Sequence, residues 1–140
     1  MNINMLYDKY LKMTEEERVK EARKSSKTVA KYLLEAISPD HAEKAYFLLI
    51  GSYVAVDGIV DRKEYEFFKK VFDFEYKYED FAAKTKDALL EHNLEFLDSI
   101  IDAAPGDVKD DFIRLGAAIC ASNGQFSAAE RALLEKYHAK

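Results

Sequence analysis

Residues 49–70, "LIGSYVAVDGIVDRKEYEFFKK", and residues 115–136, "LGAAICASNGQFSAAERALLEK", align without a gap at an offset of 66 positions. Few residues are identical, but chemical class is kept at the informative positions. Leu49 pairs with Leu115, Ala55 with Ala121, Gly58 with Gly124 and Glu64 with Glu130. Asp57 meets Asn123, Asp61 meets Ser127, and the doublet Phe67-Phe68 meets Leu133-Leu134. Each copy reads as a helix rich in small residues, a turn at glycine, a capped helix start and an apolar step. Gly58 and Gly124 can take positive φ and so end their helices. Asp61 and Ser127 suit the N-cap, and the glutamate three positions on can close a capping box. Gly51, Ser52, Ala117 and Ala118 permit close approach of two helices. The two units are expected to pack about a pseudo-two-fold axis.

The same signals organise the rest of the chain. Thr14, with Glu17 three positions on, starts a helix at Glu15, and Val29, Tyr32, Leu33 and Ile37 continue it at helical spacing. Ser38-Pro39 opens a helix running to about Val56, with proline at its favoured first position. A third helix is expected from Arg62 to near Phe72. Residues 73–80, "DFEYKYED", read as a loop whose rings lie on the core. "FAAKTKDALLEHN" predicts a helix ending at Asn93, and "LEFLDSIIDAA" another, stopped by Pro105-Gly106. "DVKDDFIRLGAAICAS" and a helix after Ser127 complete the chain. The expectation is a single all-α domain over residues 1–140, a compact bundle of about six to seven helices. Its repeat units would cover about residues 45–72 and 111–138.

Composition narrows the function classes. The chain has 140 residues, 49% hydrophobic and 34% charged, which suits one domain with its own core. Two prolines and five glycines are too few to punctuate many short strands. A net charge of −5 argues against nucleic acid, whose phosphates repel an acidic chain. The longest apolar stretch, Ala45 to Val56, is too short to span a bilayer, so no membrane insertion is expected. The N-terminus shows no basic region followed by an apolar core, and the single cysteine, Cys120, fits a reducing compartment. Both point to the cytoplasm.

An apolar helix, the string "D-G-x-x-D-x-x-E" at Asp57, Gly58, Asp61 and Glu64, a second apolar helix and a degenerate second copy together resemble the TerB-like family. That family includes tellurite-resistance proteins and a region of a membrane-bound DnaJ-like protein. The resemblance covers roughly Pro39 to Tyr137. It implies an all-α fold, a role in chemical stress or phage defence, and divalent-metal binding at the acidic corner. Carried over by position, the metal residues would be Asp57, Asp61 and Glu64, with Glu130 in the second copy. Asn123 and Ser127 replace the aspartates there.

Whether "DGIVDRKE" is a metal loop or only a turn stays open on the residues alone. If Gly58 holds position 6 of an EF-hand loop, Asp57, Asp61 and Glu64 fall at positions 5, 9 and 12. Positions 1 and 3 would be Tyr53 and Ala55, which are not ligands. One corner is therefore half a calcium or magnesium site. The turn reading accounts for the same residues as a helix end and two caps, each worth about 1 kcal/mol with no ion present.

Other chemistry is sparse. His41, His92 and His138 are scattered, with no zinc spacing, and Cys120 sits in an apolar helix. No glycine-rich phosphate loop or nucleophile elbow occurs, so no enzyme is expected. The aromatic stretch Tyr65 to Phe81 reads mostly as core. Tyr76 and Tyr78, flanked by charges, are candidates to anchor an unknown protein partner. Two readings result. The first is a non-catalytic, stress-associated TerB-like domain binding a divalent cation weakly. The second is a metal-free protein-interaction module.

Overall fold

The computed structural model describes residues 2–55, 60–72, 76–86 and 90–139. Eight helices occur among them, and no strand: α1 (Ile3–Lys12), α2 (Glu15–Ala36), α3 (Pro39–Ala55), α4 (Arg62–Phe72), α5 (Tyr78–Lys86), α6 (Glu91–Asp102), α7 (Gly106–Ala121) and α8 (Ala128–Ala139). The all-α class is as expected. The helix number is one higher than the expected range, because α1 precedes the first helix read from the sequence.

Local chemistry explains most of the boundaries. Thr14 Oγ1 accepts from the Glu17 amide and Glu17 Oε1 from the Thr14 amide, at 3.1 and 2.9 Å, which is the complete capping box that starts α2. Pro39 occupies the first position of α3, where its missing N–H costs nothing. Helices α4 and α8 begin immediately after Asp61 and Ser127. Gly124 takes a φ of +74° between α7 and α8, a conformation that disfavours any side chain. The matching expectation at Gly58 lies outside the described residues, as does Asp57.

One helix is unexpected, and two local expectations need correction: residues 78–80, read as loop, lie in α5, and Asn93 falls at the start of a helix. Helix α1 is capped by Asn2, whose Oδ1 accepts from the Met5 amide at 3.0 Å. It buries Ile3, Tyr7 and Tyr10 along one stripe. Asn93 does not end a helix. It lies in the first turn of α6, is buried, and donates its amide to the Leu90 carbonyl at 2.9 Å. A short amide side chain competes with helical backbone in water, but a buried place in a first turn suits it.

Helix α7 is the spine. All its residues from Leu115 to Ala121 are buried, and it packs against α1, α2, α3, α4 and α8. Its neighbours approach Gly116 closely. A Cβ added there would lie 2.6 Å from Tyr53 Cζ and 2.7 Å from Leu134 Cδ2. A second aromatic centre forms around the fully buried Phe81, with Tyr65, Phe68 and Phe47 rings 5.2, 5.7 and 6.1 Å away. No helix among the described residues is long and apolar enough to cross a membrane.

Candidate functional site

The acidic corner is built by helix starts. Asp61 Oδ1 accepts from the Lys63 amide at 2.7 Å and, more weakly, from the Glu64 amide at 3.4 Å. Asp61 is thus the N-cap of α4, as its position predicts. Glu64, only 2% exposed, lies in the first turn beside it. The second corner repeats this chemistry with a different cap. The Ser127 amide donates to Glu130 Oε1 at 2.9 Å, and the Glu130 amide donates to Ser127 Oγ at 3.1 Å. Glu130 is 4% exposed. Asn123 turns its Oδ1 onto the Gln125 amide at 2.9 Å.

Asp61 and Glu64 therefore share one corner, and Glu130 sits in the other. Among the described residues, no group of three or more histidine, cysteine, aspartate or glutamate side chains gathers in a way that could hold a metal ion. The second corner is also covered. Tyr7 of α1 stacks on Phe126 with centroids 4.3 Å apart, and the Arg131 guanidinium lies 5.1 Å from the centroid of the same Phe126 ring. Burial first, then the nearby Cys120 and Glu130, pushes the Tyr7 hydroxyl above its ordinary pKa.

Tyr76 and Tyr78 are half-buried and packed against the core. The Tyr78 hydroxyl donates to the Val60 carbonyl, and the Tyr65 hydroxyl donates to the Tyr76 carbonyl. Cations cover the rings: Arg62 stands 4.1 Å from the Tyr78 centroid and Lys84 4.9 Å from that of Tyr76. Tyr78 thus pins α5 to the start of α4. Tyr76 has a second role, because its ring lines a cleft.

That cleft is predominantly apolar, and the sequence reading missed it. It holds about 510 Å3 and is walled by α2, α3, α4 and α5. Helix α2 contributes Ser26, Ala30, Leu33 and Leu34; α3 contributes Pro39, Ala42, Tyr46, Phe47 and Ile50. Phe68 and Phe72 of α4, with Tyr76 and Phe81, close the far side. The volume falls in the range of ligand sites, about 300–1,000 Å3. Its polar groups are few. The Ser26 and Tyr46 hydroxyls bond to each other, and burial drives the Tyr46 pKa well up, partly offset by that bond. Leu34, at the lip, is 57% exposed. The signal available in sequence was that Leu34 falls one position beyond the buried stripe of Val19, Ala22, Val29 and Leu33.

The remaining candidates stay apart. The His41 ring meets Ser38 Oγ at 2.7 Å at the start of α3, His138 is exposed near the end of α8, and Cys120 is a buried free thiol in α7. His92 falls within α6. Compared with family models, curated proteins and solved structures, the chain matches none.

Proposed function

We propose that this chain is a non-catalytic protein-interaction module, TerB-like in architecture, that takes an apolar surface of a partner into the cleft between α2, α3, α4 and α5. One observation carries this reading. The cleft is apolar, about 510 Å3 in volume, and has a leucine standing more than half exposed at its lip. Solvating such a surface is unfavourable, and a partner that covers it recovers that free energy. The described lining offers hydroxyls but no histidine, cysteine, lysine or carboxylate. That composition suits binding rather than acid–base or nucleophilic chemistry.

The TerB-like resemblance supports a chemical-stress or tellurite-resistance setting in the cytoplasm. It also supports treating α3–α4 and α7–α8 as two copies of one unit, with their helix starts at equivalent positions. Weak calcium or magnesium binding at Asp57, Asp61 and Glu64 belongs to the same resemblance and is tested separately below.

The test of the interaction reading is site-specific photo-cross-linking. Benzoylphenylalanine placed at Leu34 should trap a discrete partner in cells of the native host. The same group placed at Glu135, exposed on α8, should not trap it. No product at Leu34, or the same products from both positions, would overturn the reading.

A further inference from the structure

Beside the apolar cleft lies a second one of different chemistry. It is lined by Lys20, Arg23, Lys24 and Lys27 of α2 and by Lys70 of α4, together with Glu15, Glu16 and Val19. A concentration of five cations is notable on a chain of net charge −5. Some of that charge is engaged. Lys70 Nζ pairs with Glu15 at 2.7 Å, Lys24 with Glu21 at 3.5 Å, and the Arg23 guanidinium donates to the Lys70 carbonyl at 2.6 Å. Among the described residues, no carboxylate stands within ion-pair distance of Lys20 or Lys27.

The two clefts run along the same pair of helices. On α2 the basic one spans residues 15–27 and the apolar one residues 26–34. On α4, Lys70 faces the first, and Phe68 and Phe72 face the second. From Lys20 to Leu34 the helix rises about 21 Å, the length of an α-helix of about 14 residues. The surface is therefore a strip with an apolar end and a basic end. Lys84 adds a cation at the rim of the apolar end, 4.9 Å from the Tyr76 centroid.

We infer that the occupant of this strip is an amphipathic α-helix of a partner protein, with an apolar end in the α2–α5 cleft and an acidic end on the Lys20–Lys27 surface. The inference rests on the cleft reading above and adds the partner's chemistry. Helix-in-groove recognition uses anchors at i, i+3, i+4 and i+7 for affinity, and complementary charge then sets direction and register. The apolar cleft alone would accept a helix in either direction. The cations at one end select one of them, because the reversed helix would place its acids against Phe72 and Ile50.

The experiment selects binders from a displayed library of random helical peptides of about 14 residues. Enriched peptides should carry leucine, isoleucine or phenylalanine at helical spacing toward one end and aspartate or glutamate toward the other. Lys20→Glu with Lys27→Glu should weaken a selected peptide about tenfold or more, since two attractions become repulsions. Raising salt from ~0.05 to ~0.5 M should weaken the wild-type complex and, by screening the introduced repulsions, strengthen that of the variant. Both lysines are exposed, so the variant should keep its helical circular dichroism and melting point. Leu34→Asp should abolish binding. Selected peptides with neutral or basic ends, still dependent on Leu34, would overturn the acidic-helix inference and leave the cleft reading standing. Peptides indifferent to Leu34→Asp, or no binders at all, would overturn both. Sedimentation with phosphatidylglycerol vesicles that is lost on the double lysine reversal would replace the protein partner with an anionic membrane.

Discussion

Three glycine-to-alanine substitutions should change stability in three different ways, and Gly116→Ala is the severe one. In an exposed helix interior this change stabilises by about 1 kcal/mol. At Gly116 the new Cβ would stand 2.6 Å from Tyr53 Cζ and 2.7 Å from Leu134 Cδ2. Carbon atoms prefer about 3.5–4.0 Å, so roughly 1 Å must be opened on two sides. Neither neighbour can yield cheaply. Leu134 is fully buried, and Tyr53 is held by its hydroxyl, which donates to the Phe112 carbonyl at 2.6 Å, and by the edge-on Tyr137 ring at 5.9 Å. Overpacking of this kind costs about 1–3 kcal/mol, and displacing the Tyr53 hydroxyl from a buried carbonyl adds about 1 kcal/mol. After subtracting the propensity gain, the expected loss is about 1–3 kcal/mol.

The other two glycines serve as controls within the same helix-turn segment. Gly106 begins α7 and an added Cβ meets nothing within 4 Å, so Gly106→Ala should be neutral or stabilising by up to about 1 kcal/mol. Gly124 also has open space around it, but its φ of +74° penalises any Cβ, so Gly124→Ala should cost about 1 kcal/mol through the backbone alone. Urea denaturation of the four proteins gives the ranking directly, since stability falls linearly with denaturant. A Gly116→Ala protein as stable as the wild type would refute the packing of α7 between α3 and α8.

Three further predictions test other parts of the structure. Asp61→Ser should change stability by less than about 0.5 kcal/mol, because serine caps as well as aspartate, and millimolar calcium or magnesium should stabilise neither protein; a wild-type gain near 2.7 kcal/mol at a hundredfold excess over Kd, lost in Asp61→Ser, would establish a metal site instead. Burial raises the Tyr10 and Tyr137 pKa values to about 12 and those of Tyr46 and Tyr53 further. Their neutral forms therefore stabilise the fold fully below the unfolded value of 10, and this is lost as pH rises toward the folded values, by about 1.4 kcal/mol per tyrosine per pH unit. Cooperative unfolding near pH 11 should coincide with the appearance of tyrosinate absorbance, and tyrosines that ionise near pH 10 in a folded protein would contradict it. Arg18 donates to the Tyr10, Leu11 and Met13 carbonyls at 3.1, 3.3 and 2.7 Å, so Arg18→Ala should cost about 1–2 kcal/mol and open the α1–α2 junction to limited proteolysis; an unchanged digestion pattern would show that α1 is held by its apolar stripe alone.

The parts of this fold that could be read in the sequence are those decided within one helical turn. The starts of α2, α4 and α8 depend on a cap and its glutamate; both halves of the capping box form at α2 and α8, and at α4 Asp61 makes the N-cap bonds. Helix α1 is different. Beyond its Asn2 cap, it is held by Arg18 on the next helix and by Tyr7 stacking on Phe126 far along the chain, and neither partner lies within α1. Asn93 shows the same limit, since an asparagine is a stop signal in water and an acceptable first-turn residue once buried.

The cleft was hidden for a stricter reason. Phe68, Phe72 and Phe81 have the spacing and apolar character of core residues, and Phe68 and Phe81 are indeed buried. Periodicity shows that a face is apolar. It does not show whether another helix of the same chain covers that face. Here a cleft stays open between α2, α3, α4 and α5, lined by Phe72 and Tyr76, and Leu34 remains at the lip with most of its surface in water. The basic run on α2 has the same ambiguity, because Lys20, Lys24 and Lys27 read alone as an ordinary solvated face. Only the packing of α4 against α2, through Arg23 and Lys70, sets that face beside the apolar opening. The candidate site is thus a property of helix arrangement, and the decisive substitutions are Leu34→Asp and the Lys20–Lys27 reversal, which alter the surface without touching the core.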